Sequence, residues 1–131
     1  MRTETASLPR IAAAPAIDVV GRGLQISPAF DAHARRRLLG ALRPWTRQVR
    51  AVRVQLLDVN GPRRGPSDKV CRVSVSMRAG GRVLAAAGAD DAYASVDRAA
   101  QRTAAAVERY LQRRWRRPAA QRAAGRPRAV S

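Results

Sequence analysis

The stretch DDAYASVDRAAQRTAAAVERYLQRRW, Asp90–Trp115, decides the fold, because it reads as one helix with an arginine stripe opposite its apolar face. At about 100° per residue, Tyr93, Val96, Ala100, Thr103, Val107 and Leu111 fall within roughly 80° of one another. Arg98, Arg102, Arg109, Arg113 and Arg116 fall within roughly 60°, nearly opposite. A helix that buries one face sends its charges to the other whatever its task. The alignment of the arginines also suits a scaffold that presents charge to a polyanion. Asp90 is placed to cap this helix, and Asp91 and Asp97 suit its positive end.

Upstream of the helix, apolar residues alternate with polar ones. Lys69 to Arg78 places Cys71, Val73, Val75 and Met77 on one face and Arg72, Ser74, Ser76 and Arg78 on the other, a half-buried strand. Ala79-Gly80-Gly81 is a turn signal leading into Arg82–Ala87, so these two strands are expected as an antiparallel hairpin. Val49 to Val59 repeats the alternation, with Val52, Val54 and Leu56 inward and Arg53 and Gln55 outward. Before it, Ser27-Pro28 supplies a cap and a first helical residue. A helix from Pro28 to about Leu42 follows, with Phe30, Ala34, Leu38, Ala41 and Trp45 at helical spacing and Pro44 as its stop. Ala16–Val20 is a short β-branched strand that ends at the Gly21-Arg22-Gly23 turn. That lone GxG lacks the third glycine of a phosphate loop.

The order β-α-β-β-β-α predicts an α+β fold: a four-stranded mixed sheet with two helices packed on one face and the other face polar. Residues 1–15 and 116–131 lack periodicity and read as flexible tails, the second of them basic, around a single domain over 16–115. The connector NGPRRGPSDK, residues 60–69, is too long for a tight turn and reads as a loose link or a basic finger carrying Arg63 and Arg64.

A chain of 131 residues fits one core. Its 26 basic against 9 acidic side chains leave +17, which favours a phosphate polymer as partner. The preference for arginine over lysine carries little weight, since alanine and arginine are both abundant. Cys71 is the sole cysteine and excludes an intramolecular disulfide or a cysteine-based zinc cage; its alternating setting makes it a buried thiol. His33 is the sole histidine and has no second ligand for a metal, and Asp90-Asp91 is explained by helix capping rather than by acid/base chemistry. No serine sits in a nucleophile elbow. The chain is therefore read as a binding protein and not an enzyme, with no cofactor and no membrane segment.

The pieces GRGLQISPAF and AGGRVLAAAGADDAYASVD, in this element order, resemble the ribosome hibernation promoting factor and ribosome-associated inhibitor family, also called the sigma-54 modulation family. Asp91–Asp97, D-x-Y-A-S-V-D, looks like the family's D-x-Y-A-A-I-D at the start of its last helix, and ISPA at Ile26–Ala29 like its I-T-P-A helix entry. The resemblance covers about residues 16–115 and implies a fold similar to a double-stranded-RNA-binding domain. It also implies a cytoplasmic bacterial protein in the messenger and transfer RNA channel of the small ribosomal subunit, where occupancy blocks initiation and protects idle ribosomes. Long members add a ribosome-pairing domain; this chain is read as a short form, acting alone or beside a separate ribosome-dimerising factor.

On that reading Arg36, Arg37, Arg102 and Arg109 take the places of the family's basic residues. The expected contacts to ribosomal RNA are Arg22, Arg36, Arg37, Arg98, Arg102, Arg109, Arg113 and Arg116, with Arg63, Arg64 and Trp115 as further contacts. The chain departs from the family pattern at Ala105 and Ala106, where an arginine-glutamine pair is common, and at Asp31, near a common arginine. Tyr93 is expected to pack, while for Trp115 both packing and base stacking stand. Two other readings remain at the sequence level: a general double-stranded RNA binder, against which the added first strand argues, and a protein-interaction adaptor whose basic face meets an acidic protein.

Overall fold

The computed structural model describes residues 15–59 and 69–116. In chain order it comprises β1 (Ala16–Arg22), α1 (Pro28–Ala41), a short 3-10 turn over Arg43–Trp45, β2 (Val49–Asp58), β3 (Lys69–Met77), β4 (Arg82–Ala89) and α2 (Ala92–Arg116). The sheet order is β1-β2-β3-β4. β1 runs parallel to β2, with Ile17 beside Val52, and the other two pairings are antiparallel. The expected mixed sheet with two helices on one face is what forms. Apart from Pro15 and Arg116, the expected tails lie outside the described residues, as does the connector through residue 68 with Arg63 and Arg64.

The alternation read from the sequence is the alternation of the sheet. Val52, Val54 and Leu56 of β2, Cys71, Val73, Val75 and Met77 of β3, and Val83 and Ala87 of β4 are buried. From the helices Phe30, Ala34, Leu38, Val96, Ala100, Val107 and Leu111 meet them. Each fully buried valine or leucine contributes about 1.5–3 kcal/mol, so this one layer contact carries the fold. Two buried hydroxyls in α2 are satisfied locally: Thr103 donates to the Ala99 carbonyl at 2.7 Å and Ser95 to that of Ala92 at 2.7 Å. Unpaired, each would cost about 1–3 kcal/mol.

Several boundaries differ from the sequence reading. Asp91, not Asp90, caps α2: its two carboxylate oxygens accept from the Tyr93 and Ala94 amides at 3.2 and 3.3 Å. β4 continues through Ala89, which shifts the helix start by a residue. Asp97 does not serve the positive end of α2; it lies on the flank that meets α1. α1 ends at Ala41, and the 3-10 turn holding Pro44 brings Trp45 back onto the core. β1 extends through Arg22, and the turn after it uses Gly23 at φ 79°. A side chain at Gly21 would collide with the Leu24 carbonyl oxygen, so the chain folds back there only over glycine.

Candidate nucleic-acid interface

α1 begins where its sequence allows: the Ser27 hydroxyl accepts from the Phe30 amide at 3.1 Å, and Pro28 occupies the first turn. The resulting register sends Phe30, Ala34 and Leu38 into the core and leaves Arg36 and Arg37 on the side toward α2. Asp97 joins the helices there. One of its oxygens lies 2.8 Å from His33 Nε2 and 3.0 Å from Arg37 Nε. Tyr93 closes the same end, packing edge-on against Phe30 at 5.4 Å and His33 at 4.9 Å between ring centres. His33 and Tyr93 are thus parts of a helix-helix joint, as a packing role for Tyr93 requires.

Between the helices runs a cleft of about 430 Å³ lined by Arg36, Arg37, Gly40, Ala100, Gln101 and Ala104. Its lining joins two guanidiniums to small residues of both helices. On the other flank of α2, Arg98 Nη1 donates to the Gly88 carbonyl at 2.9 Å and Arg102 Nη1 to the Ala86 carbonyl at 2.9 Å. Those carbonyls belong to the outer side of β4, an edge strand, so the two arginines tie the helix to the sheet and cover its open edge. Tyr110 makes the third tie, donating to the Gly80 carbonyl at 2.6 Å in the β3–β4 turn. Gly81 holds φ 89°, and a Cβ there would press on the Tyr110 hydroxyl at 3.0 Å.

The expected contact residues therefore fall into separate groups. Arg36 and Arg37 meet at the cleft, Arg98 and Arg102 at the β4 edge, and Arg109 and Arg113 are exposed on the C-terminal half of α2. Arg36, Arg109 and Arg113 make no ion pair or hydrogen bond among the described residues. Arg22, at the end of β1, shares the strand parity of Asp18 and so belongs to the sheet face away from the helices. Arg116 is the last residue of α2. Trp115 is 61 % exposed and does not join the core. Of the two alanines that depart from the family pattern, Ala106 leans on the core and Ala105 is exposed.

The chemistry available is that of charge and hydrogen bonding. Burial pushes the Cys71 thiol up to about 12, leaving it un-ionised and unsuited to attack. The Arg35 guanidinium is pushed up from its ordinary value by its hydrogen bond to Asp31, 2.7 Å from its Nε. It also donates to the Ile17 carbonyl at 2.5 Å, covering the β1 edge. Among the described residues there is no group of three or more His, Cys, Asp or Glu placed to hold a metal. No described helix is long and apolar enough to cross a membrane.

A family model described as sigma 54 modulation protein / S30EA ribosomal protein matches residues 17–115, the whole of this layered unit. The chain belongs to that family. Its fold is similar to that of a ribosomal subunit interface protein from Coxiella burnetii, with a TM-score of 0.61 and 21 % identity over 73 % of this chain and 97 % of the other. It is also similar to the N-terminal domain of Protein Y from Thermus thermophilus, with a TM-score of 0.57 and 23 % identity over 75 % and 99 % of the two chains. No curated protein matches. At these identities the likeness concerns the fold.

Proposed function

We propose that this protein binds the small ribosomal subunit in the channel used by messenger and transfer RNA, and silences and protects idle ribosomes by occupying it. The observation that carries the reading is the row formed by Arg109 and Arg113 on α2, exposed and without partners among the described residues, on a scaffold of the S30EA ribosomal family. The subunit-interface name of the Coxiella burnetii relative agrees with it. Arg36 and Arg37 at the cleft, Arg98, Arg102 and Arg116 along the helix, and Arg22 beyond it supply the remaining contacts to ribosomal RNA, with Arg63, Arg64 and Trp115 as additions. Guanidiniums grip phosphates bidentately and position the domain by shape and charge rather than by base sequence.

The mechanism is competitive exclusion. No bond is made or broken, and the setting is the cytoplasm because that is where ribosomes work. A separate ribosome-dimerising factor is a further partner on this reading. Co-sedimentation with purified small subunits over a salt series tests the reading. If α2 neutralises about five phosphates, the log-log slope is roughly −3.5 to −4.5. A slope near zero, equal affinity for any duplex RNA, or a nuclease-resistant protein complex away from ribosomes would each overturn it.

A further inference from the structure

The face of the sheet that no helix covers carries an arginine on each strand. By register and parity, Arg22 of β1, Arg53 of β2, Arg72 of β3 and Arg82 of β4 share this face. Its centre is a shallow trough of about 590 Å³ lined by Arg53, Gln55, Arg72, Ser74, Arg82 and Leu84. Donors dominate it. Gln55 and Ser74 add a carboxamide and a hydroxyl between the guanidiniums, and the acid of the facing rows is Asp18, 3.3 Å from Arg53 Nη1. Arg72 and Arg82 make no ion pair or hydrogen bond among the described residues. Leu84, 69 % exposed, gives the trough an apolar patch that a ribose or base can cover.

We propose that this trough is a second RNA-contact surface, so that the domain holds RNA on both sides of its sheet. The inference rests on the ribosomal reading above and deepens it: a body lodged in a channel walled by RNA meets phosphate on more than one side. Charge complementarity selects the partner, since a trough rich in guanidiniums and poor in carboxylates repels cations and favours a polyanion. The described part of the face carries no aromatic side chain, so it grips the sugar-phosphate backbone and does not stack successive bases. Gln55 and Ser74 are suited to the ribose 2′-hydroxyl, which both donates and accepts.

The test uses the full chain, the double variant Arg72→Gln/Arg82→Gln and two probes: purified small subunits and an unstructured oligouridine. Both substitutions sit on the exposed face, and unchanged thermal unfolding certifies the fold. The variant should bind small subunits about fivefold to tenfold more weakly at moderate salt, with a salt slope shallower by roughly 1 to 2. Oligouridine should shift the amide resonances of Arg72, Ser74 and Leu84 in the wild-type chain and leave them unmoved in the variant. Wild-type affinity in the variant, or oligouridine shifts confined to α1 and α2, overturns the proposal. So does a variant that binds RNA normally but loses binding to polyglutamate, which would mark the trough as a seat for an acidic protein. If the wild-type chain does not sediment with small subunits, the ribosomal reading fails, and the trough is then judged on the oligouridine shifts alone.

Discussion

In the N-terminal half of α2, Arg98 and Arg102 reach back to the outer carbonyls of β4, while in its C-terminal half Arg109 and Arg113 leave the same stripe with no partner among the described residues. The helical angle is nearly the same for all four. What differs is the neighbour beneath each guanidinium. α2 runs antiparallel to β4, so Arg98 pairs with Gly88, Arg102 with Ala86 and, past Ala104, Ala105 and Ala106, whose side chains carry no donor, Tyr110 with Gly80. An arginine on an exposed stripe thus keeps its whole guanidinium for an outside partner only where no unpaired backbone lies within its reach. Even the tied arginines keep further N–H groups for a second acceptor.

Breaking the free half should have the largest effect. Arg109→Gln/Arg113→Gln should lower small-subunit affinity by about tenfold or more and flatten the salt slope by roughly 2, with the melting temperature unchanged. Co-sedimentation and thermal denaturation together read both. Breaking the tied half reverses the pattern: Arg98→Ala/Arg102→Ala should cost about 1–2 kcal/mol in urea unfolding and bare the β4 edge, giving concentration-dependent self-association by sedimentation velocity. If that double variant were as stable and monomeric as the wild type, the distinction between the halves would collapse. The smallest effect is expected at the helix end, where Trp115→Ala should change stability by less than about 0.5 kcal/mol because the indole touches no core. A loss of RNA affinity in that variant would add Trp115 to the free half as a stacking group.

The sheet, the helices and the core were legible because each rests on period and on punctuation. Val73, Val75 and Met77 alternate, Ser27-Pro28 opens a helix, and Pro44 closes one. The site was legible only as a population of arginines. No periodicity says that Arg98 and Arg102 lie over an edge strand, since that depends on which strand ends the sheet. Nor does it pair Arg37 and His33 with Asp97, which is far away along the chain. Arg72 and Arg82 do not stand out in the sequence for a related reason. Each reads as the solvent side of a half-buried strand, and only the strand order sets them beside Arg53 in one trough. The cap moved from Asp90 to Asp91 because two adjacent aspartates offer the same chemistry, and the length of β4 chooses between them.

The parallel pairing of β1 with β2 bears on how the chain reaches this structure. β2, β3, β4 and α2 follow one another in space as they do in sequence, so their pairings span fewer residues than that of β1 with β2. β1 finds its partner only across the whole of α1, with Ala16 opposite Ala51, and closing that crossover costs chain entropy before any ladder bond is made. The meander and α2 should therefore form the early nucleus, with β1 docking last. In native-state hydrogen exchange the amides of β1 should open at lower free energy than those of β3, which is sandwiched between two strands. The strand that begins the domain would be the first to let go.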